Sequence, residues 1–82
     1  SPLKRFMFDD YAVKLTTLIK NKIPIINTTI NLSSLSKDVL NSLKYCSFKN
    51  VVFSGVINSP NLEGPVFENC YFEDCKFNNI QL

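Results

Sequence analysis

The fold is decided by Val66-Phe67-Glu68-Asn69-Cys70-Tyr71-Phe72-Glu73-Asp74-Cys75-Lys76-Phe77-Asn78-Asn79, where a phenylalanine returns at every fifth position. The residue two before each phenylalanine is small or a turn former, and the two residues after it are polar. The same register extends back to Cys46 and on to the end of the chain, with one residue missing between Phe53 and Ile57. The large apolar centres of this register are Phe48, Phe53, Ile57, Leu62, Phe67, Phe72, Phe77 and Leu82.

A period of five fits neither the 3.6-residue period of a helix nor the two-residue period of a plain strand. It suits a square coil in which each five-residue unit forms one short strand and one corner, and in which four units return the chain to its starting face. We therefore predict a mainly β solenoid of about two coils over 46–82, preceded by a helical capping segment over 1–45. Four units of spacing predict the stacks Phe48 over Phe67, Phe53 over Phe72, Ile57 over Phe77 and Leu62 over Leu82.

The positions two before the centres are predicted to point inward as well. They include Cys46, Val51, Cys70 and Cys75, which complete the predicted structural core together with the apolar centres. Four-unit spacing places Cys46 over Pro65, so no two cysteines share a column. We predict that all three thiols are apolar fillers, because a reactive cysteine needs partial exposure and a cationic or histidine-paired setting.

The first half of the chain follows ordinary periodicities. Residues 9–22 have apolar positions at helical spacing, begin with Asp9-Asp10 and are followed by Pro24, which predicts an amphipathic helix. Residues 25–32 are β-branched and alternating, which predicts a strand. A second short helix is predicted over 36–43 with Ser36 as its N-cap.

The composition narrows the class of protein. The chain has 82 residues, a formal charge of +2, no histidine, no tryptophan and three cysteines. Residues 1–45 carry seven basic and three acidic side chains, whereas 46–82 carry two basic and four acidic ones. The sequence pI near 8.5 is below the range typical of nucleic-acid-binding domains, so we expect no nucleic-acid partner. No apolar run approaches the roughly 20 residues of a membrane span. The odd number of cysteines favours reduced thiols in a cytosol-type reducing environment.

The register at 46–50, 66–70 and 71–79 resembles the pentapeptide-repeat family. This resemblance covers a little under half of the chain, and 30–34 fits the same template as an earlier unit. It implies a right-handed quadrilateral β-helix. The segment from Tyr11 to Leu18, followed by repeats, is similar to the start of the β-helix domain in HECT-like ubiquitin ligase effectors of enteric bacteria, whose catalytic domain is separate.

No catalytic residues, cofactor site or metal site are predicted, because the chain has no imidazole and no glycine-rich phosphate loop. We predict a non-catalytic protein-interaction or scaffold module, not an enzyme, with Glu68, Glu73 and Lys76 on its interaction surface. The resemblance implies that it is part of a bacterial effector and virulence factor, secreted into host cells by a dedicated system. The alternatives are the substrate-recognition domain of an effector ubiquitin ligase and a DNA-mimicking topoisomerase-binding protein. We also expect the natural chain to continue beyond Leu82.

Overall fold

The structure is a computed structural model that describes residues 11–57 and 61–80, with side chains from Lys14 onward. Its regular elements are two short α-helices, one 3₁₀ turn and four strands, joined by turns. In chain order they are α1 Tyr11–Lys20, β1 Ile25–Asn31, the 3₁₀ turn Leu32–Ser34, α2 Lys37–Asn41, β2 Ser47–Ser54, β3 Tyr71–Glu73 and β4 Lys76–Phe77.

Hydrogen-bonded caps define the C-terminus of α1 and the N-terminus of α2. At the end of α1, the Ile23 N–H donates to the Leu18 carbonyl (2.9 Å) and the Lys22 N–H donates to the Ile19 carbonyl (3.2 Å), which is the Schellman pattern. At the start of α2, the Ser36 hydroxyl accepts from the Val39 N–H (3.3 Å), which confirms Ser36 as the predicted N-cap. The predicted caps Asp9 and Asp10 of α1 lie outside the described residues.

The four strands form one parallel sheet in which β2 is central. Along one side, β2 pairs with β1, placing Ile25 opposite Phe48 and Ile30 opposite Phe53. Along the other side, the first half of β2 pairs with β3 and the second half pairs with β4. The predicted strand over 25–32 is confirmed as β1.

The predicted two-coil quadrilateral β-helix is wrong: the structure contains short helices beside a small open sheet of four strands. The five-residue period predicts one corner per unit, but the units centred on Phe48 and Phe53 share the continuous eight-residue strand β2. Between Ser54 and Tyr71 the described residues form turns and no strand. Gly64 and Pro65 explain part of this, since glycine weakens a strand and proline removes a backbone donor.

The predicted ring stacks are also wrong by one unit. Phe48 lies opposite Phe72, not Phe67, and Phe53 lies opposite Phe77, not Phe72. Ile57 consequently has no place over Phe77, and the stack of Leu62 with Leu82 falls partly outside the described residues. The turns between β2 and β3 take up one more unit than the square coil requires.

The core joins the two halves of the chain. Helix α1 contributes Ile19, β1 contributes Ile25 and Ile30, and β2 contributes Phe48 and Phe53, all almost fully buried. The other buried apolar side chains are Leu32, Val39, Leu40, Leu43, Cys46 and Val51. Within the described residues, neither helix is long and apolar enough to cross a bilayer.

Candidate interaction surface

The sheet ends at β3 and β4, which we call the β3–β4 edge. Both strands pair with β2, and no other described strand pairs with them. The Tyr71 N–H donates to the Cys46 carbonyl (3.0 Å) and the Asn78 N–H donates to the Phe53 carbonyl (2.9 Å). Because successive residues of a strand direct their backbone groups to opposite sides, the N–H groups of Phe72 and Phe77 face away from β2. This edge therefore offers backbone groups for pairing.

A cluster of phenylalanine rings ends at the same edge. The Phe72 ring stacks on Phe48 with centroids 5.4 Å apart, and the Phe77 ring stacks on Phe53 at 4.8 Å. The Phe67 ring lies edge-on to both outer rings, at 5.4 Å from Phe72 and 5.9 Å from Phe77. Phe48 and Phe53 are fully buried, whereas Phe77 is 42% exposed. The aromatic core thus reaches the surface at the β3–β4 edge.

The three residues of the predicted interaction surface lie at different places. Glu73 lies in β3, where its Oε2 is 3.3 Å from Lys49 Nζ and its Oε1 accepts from the Tyr71 hydroxyl (3.4 Å). Lys76 is exposed in β4, beside Val52 of the neighbouring strand. Glu68 is exposed in the turn before β3, and its carbonyl accepts from the Tyr45 N–H (3.0 Å). No described hydrogen bond or ion pair joins the three side chains, and the structure brings only Glu73 and Lys76 to the same edge.

Exposed apolar side chains near Glu73 were missed in the sequence. Tyr71 is 61% exposed and Ile26 is 56% exposed. The register aligns Ile26, Lys49 and Glu73 across three strands, on the face opposite to the buried phenylalanines. The signal was present, since Tyr71 directly precedes the inward-facing centre Phe72, and neighbouring residues of a strand point to opposite faces.

An apolar groove continues from the ring cluster. It has a volume of about 420 Å³, and the described residues that line it include Ile57, Leu62, Val66 and Phe67 together with the acidic Glu68. The loop beneath it is held to α2, because the Glu63 N–H donates to Asn41 Oδ1 (2.9 Å). Phe67 lines the groove and its ring contacts Phe72 and Phe77 of the β3–β4 edge, so the groove adjoins the edge.

The cysteines line the interior next to this surface. Ser47 of β2 is aligned with Tyr71 of β3, and Cys46 and Cys70 directly precede these two residues, so Cys46 lies beside Cys70. The prediction that no two cysteines share a column is therefore wrong. Both thiols bond to carbonyl oxygens, Cys70 Sγ to Leu43 at 2.8 Å and Cys46 Sγ to Ile19 at 3.6 Å. Burial raises the pKa of both thiols above the ordinary value, an effect that nearby Lys22 partly offsets. Neutral thiols are poor nucleophiles, which suits a packing role.

The described residues contain no group of three or more histidine, cysteine or carboxylate side chains placed to hold a metal ion. No protein-family model, curated protein or solved structure matches this chain. The function proposed for it therefore depends on the geometry of the β3–β4 edge.

Proposed function

We propose that this chain is a non-catalytic protein-interaction module that binds an extended segment of a partner protein at the β3–β4 edge. One observation carries the proposal. Among the described strands, β3 and β4 pair with β2 alone, and at this edge Phe77 covers the buried ring of Phe53 while remaining 42% exposed.

The physical reason is that strand addition satisfies both features at once. An added strand receives backbone hydrogen bonds from the edge and covers apolar surface beside it, which is a common mode of peptide recognition. Sheets that avoid such pairing protect their edges with lysine, proline or bulges. Within β3 and β4 the charged residues are Glu73, which pairs with Lys49 of β2, and Lys76, whose neighbour Phe77 presents an exposed aromatic ring.

Three more specific roles remain predictions that rest on the sequence resemblance alone. They are membership of a bacterial effector delivered into host cells, substrate recognition for an effector ubiquitin ligase, and topoisomerase binding by DNA mimicry. The interaction proposal is independent of all three, because it depends only on the exposed edge and its aromatic residues.

The test is a selection from a random peptide-display library on the immobilised native chain alone, after which the affinity of each selected peptide is measured for the native chain and for the Phe77→Asp variant. The matched control is Val56→Asp, because Val56 is 48% exposed, lies outside β3 and β4, and has its N–H bonded to Ser33 Oγ of the 3₁₀ turn. We expect selected peptides to bind the native chain and Val56→Asp equally, and Phe77→Asp about tenfold or more weakly.

Peptides that bind Phe77→Asp as well as they bind the native chain would contradict the proposal, and so would a selection without binders. Circular dichroism and thermal melting check that each variant folds. If Phe77→Asp does not fold, Glu73→Lys replaces it. That change removes the partly exposed ion pair with Lys49 and the hydrogen bond from the Tyr71 hydroxyl, and both lie at the surface, so its effect on stability is small.

A further inference from the structure

We infer that the partner segment is a basic extended peptide that lies parallel to β3 and β4 and carries two large apolar side chains five residues apart. The inference rests on the proposed function and names the chemistry of its partner. Three features of the edge support it: the spacing of the rings, the conformation of the turn between β3 and β4, and the charge of the surrounding surface.

The spacing follows from the register of the existing strands. Buried side chains in β1 and β2 are five residues apart, and Phe72 and Phe77 repeat this spacing at the edge. Each strand places its large side chains directly opposite those of the strand before. The outer rings stack on the inner ones at interplanar angles of 12° and 10°. A further strand in the same register would place flat apolar side chains over Phe72 and Phe77, and stacked aromatic pairs are favourable.

Asp74, in the turn between β3 and β4, favours a peptide side chain that donates hydrogen bonds. Asn27, Asn50 and Asp74 occupy equivalent positions in successive strands, and their φ angles of 53°, 52° and 54° are all left-handed. Asparagine and aspartate tolerate this conformation better than other non-glycine residues. The Asn50 amide donates to Asn27 Oδ1 (3.0 Å). At the edge, the Asp74 carboxylate accepts only, so asparagine in the peptide would be its natural partner.

The charge of the edge favours a cationic peptide. Between Tyr71 and Phe77 the edge carries Glu73 and Asp74 against the single cation Lys76, and Glu68 lies on the adjoining groove. Glu73 already pairs with Lys49 of the inner strand at 3.3 Å, and both side chains of that pair are partly exposed. A lysine of the peptide placed one residue after its first large apolar side chain would lie beside Glu73 on the outer side.

Strand β2 of this chain meets all three requirements, which supplies a probe. Its sequence SFKNVVFS has Phe48 and Phe53 five residues apart, with Lys49 and Asn50 following the first phenylalanine. A synthetic peptide of this sequence with a fluorescent label therefore tests the inference directly. Three altered peptides serve as controls: one with a glycine inserted after Asn50, one with Lys49→Glu and one with Phe53→Ala.

The experiment is a fluorescence anisotropy titration of the labelled peptides with the full chain. We expect the native peptide to bind, and each altered peptide to bind about tenfold or more weakly. We expect the Lys49→Glu peptide to recover affinity for the Glu73→Lys chain, because that combination restores opposite charges across the new strand pair. Affinity of the native peptide should also fall as salt is raised, since partly exposed charges are screened.

The outcomes separate this inference from the proposed function. Two results together would overturn the inference alone. They are library peptides that depend on Phe77 but lack basic residues or five-residue spacing, and a β2 peptide that does not bind. An absence of any Phe77-dependent peptide would overturn both. If the chain dimerises with rising concentration and Phe77→Asp abolishes the dimer, the edge binds a second copy of the chain. That result would overturn the inference of a peptide partner.

Discussion

The rings of Phe53 and Phe77 stack with their centroids 4.8 Å apart and their planes at 10°, yet one ring is fully buried and the other is 42% exposed. Their aligned positions in β2 and β4 make them chemically equivalent within the sheet. They differ only in what lies beyond them, because Phe53 has β1 on its far side and Phe77 has no described strand there. This difference marks where the core ends and where binding is proposed.

Truncation of the two rings should therefore have unequal effects on stability. We expect Phe53→Ala to lower the free energy of unfolding by about 3–5 kcal/mol, because it leaves a cavity among fully buried rings. We expect Phe77→Ala to cost about half of that or less, since the ring contacts the core on one side only. Urea unfolding followed by circular dichroism measures both values. Equal losses would show that the edge is covered in solution.

The two glycines should respond differently to the same methyl group. A Cβ at Gly55 would overlap Asn31 Oδ1 and lie 2.9 Å from the Ser33 backbone nitrogen, at a φ of 87°. We expect Gly55→Ala to destabilise the chain by roughly 2 kcal/mol or more, because strain and a steric clash with backbone add together. Gly64 has a φ of 78° but no atom near such a Cβ, so Gly64→Ala should cost only about 1 kcal/mol. Comparable melting temperatures for the two variants would contradict this.

Alkaline pH should destabilise the fold through its buried thiols. Burial raises the pKa of Cys46 and Cys70 above 9.0, so above that pH the unfolded chain releases thiol protons that the folded chain keeps. Stability from these groups is complete below pH 9.0 and falls as the pH rises toward the folded-state pKa values. Urea midpoints measured across this range should fall less steeply in Cys46→Val than in the native chain. Identical slopes would mean that Cys46 is not buried as a neutral thiol.

The sequence predicted the local elements better than their assembly. Ser36 and the β-branched run after Pro24 identify α2 and β1, because caps and alternation act over a few neighbouring residues. The left-handed conformation of Lys22 at the end of α1 was not predictable, since lysine has no preference for it.

The register could not be predicted, because a five-residue period is unchanged by a shift of one whole unit. Phe67 and Phe72 are equivalent candidates to lie opposite Phe48 in such a pattern. The choice depends on how many residues the turns between β2 and β3 consume, and Glu63, bonded to Asn41, belongs to that connection. The same ambiguity hid the candidate site, since only the register shows that Phe77 lies at an open edge.

Amide hydrogen exchange of the ¹⁵N-labelled chain, with and without the β2 peptide, tests the central claim most directly. In the free chain, we expect the Tyr71 and Asn78 amides to be protected by their bonds to β2, and the Phe72 and Phe77 amides to exchange rapidly. Saturating peptide should slow exchange at Phe72 and Phe77 while leaving Tyr71 and Asn78 unchanged. Two results would contradict the claim that the β3–β4 edge binds an extended partner. The Phe72 and Phe77 amides could already be protected in the free chain, or they could exchange at the same rate with and without bound peptide.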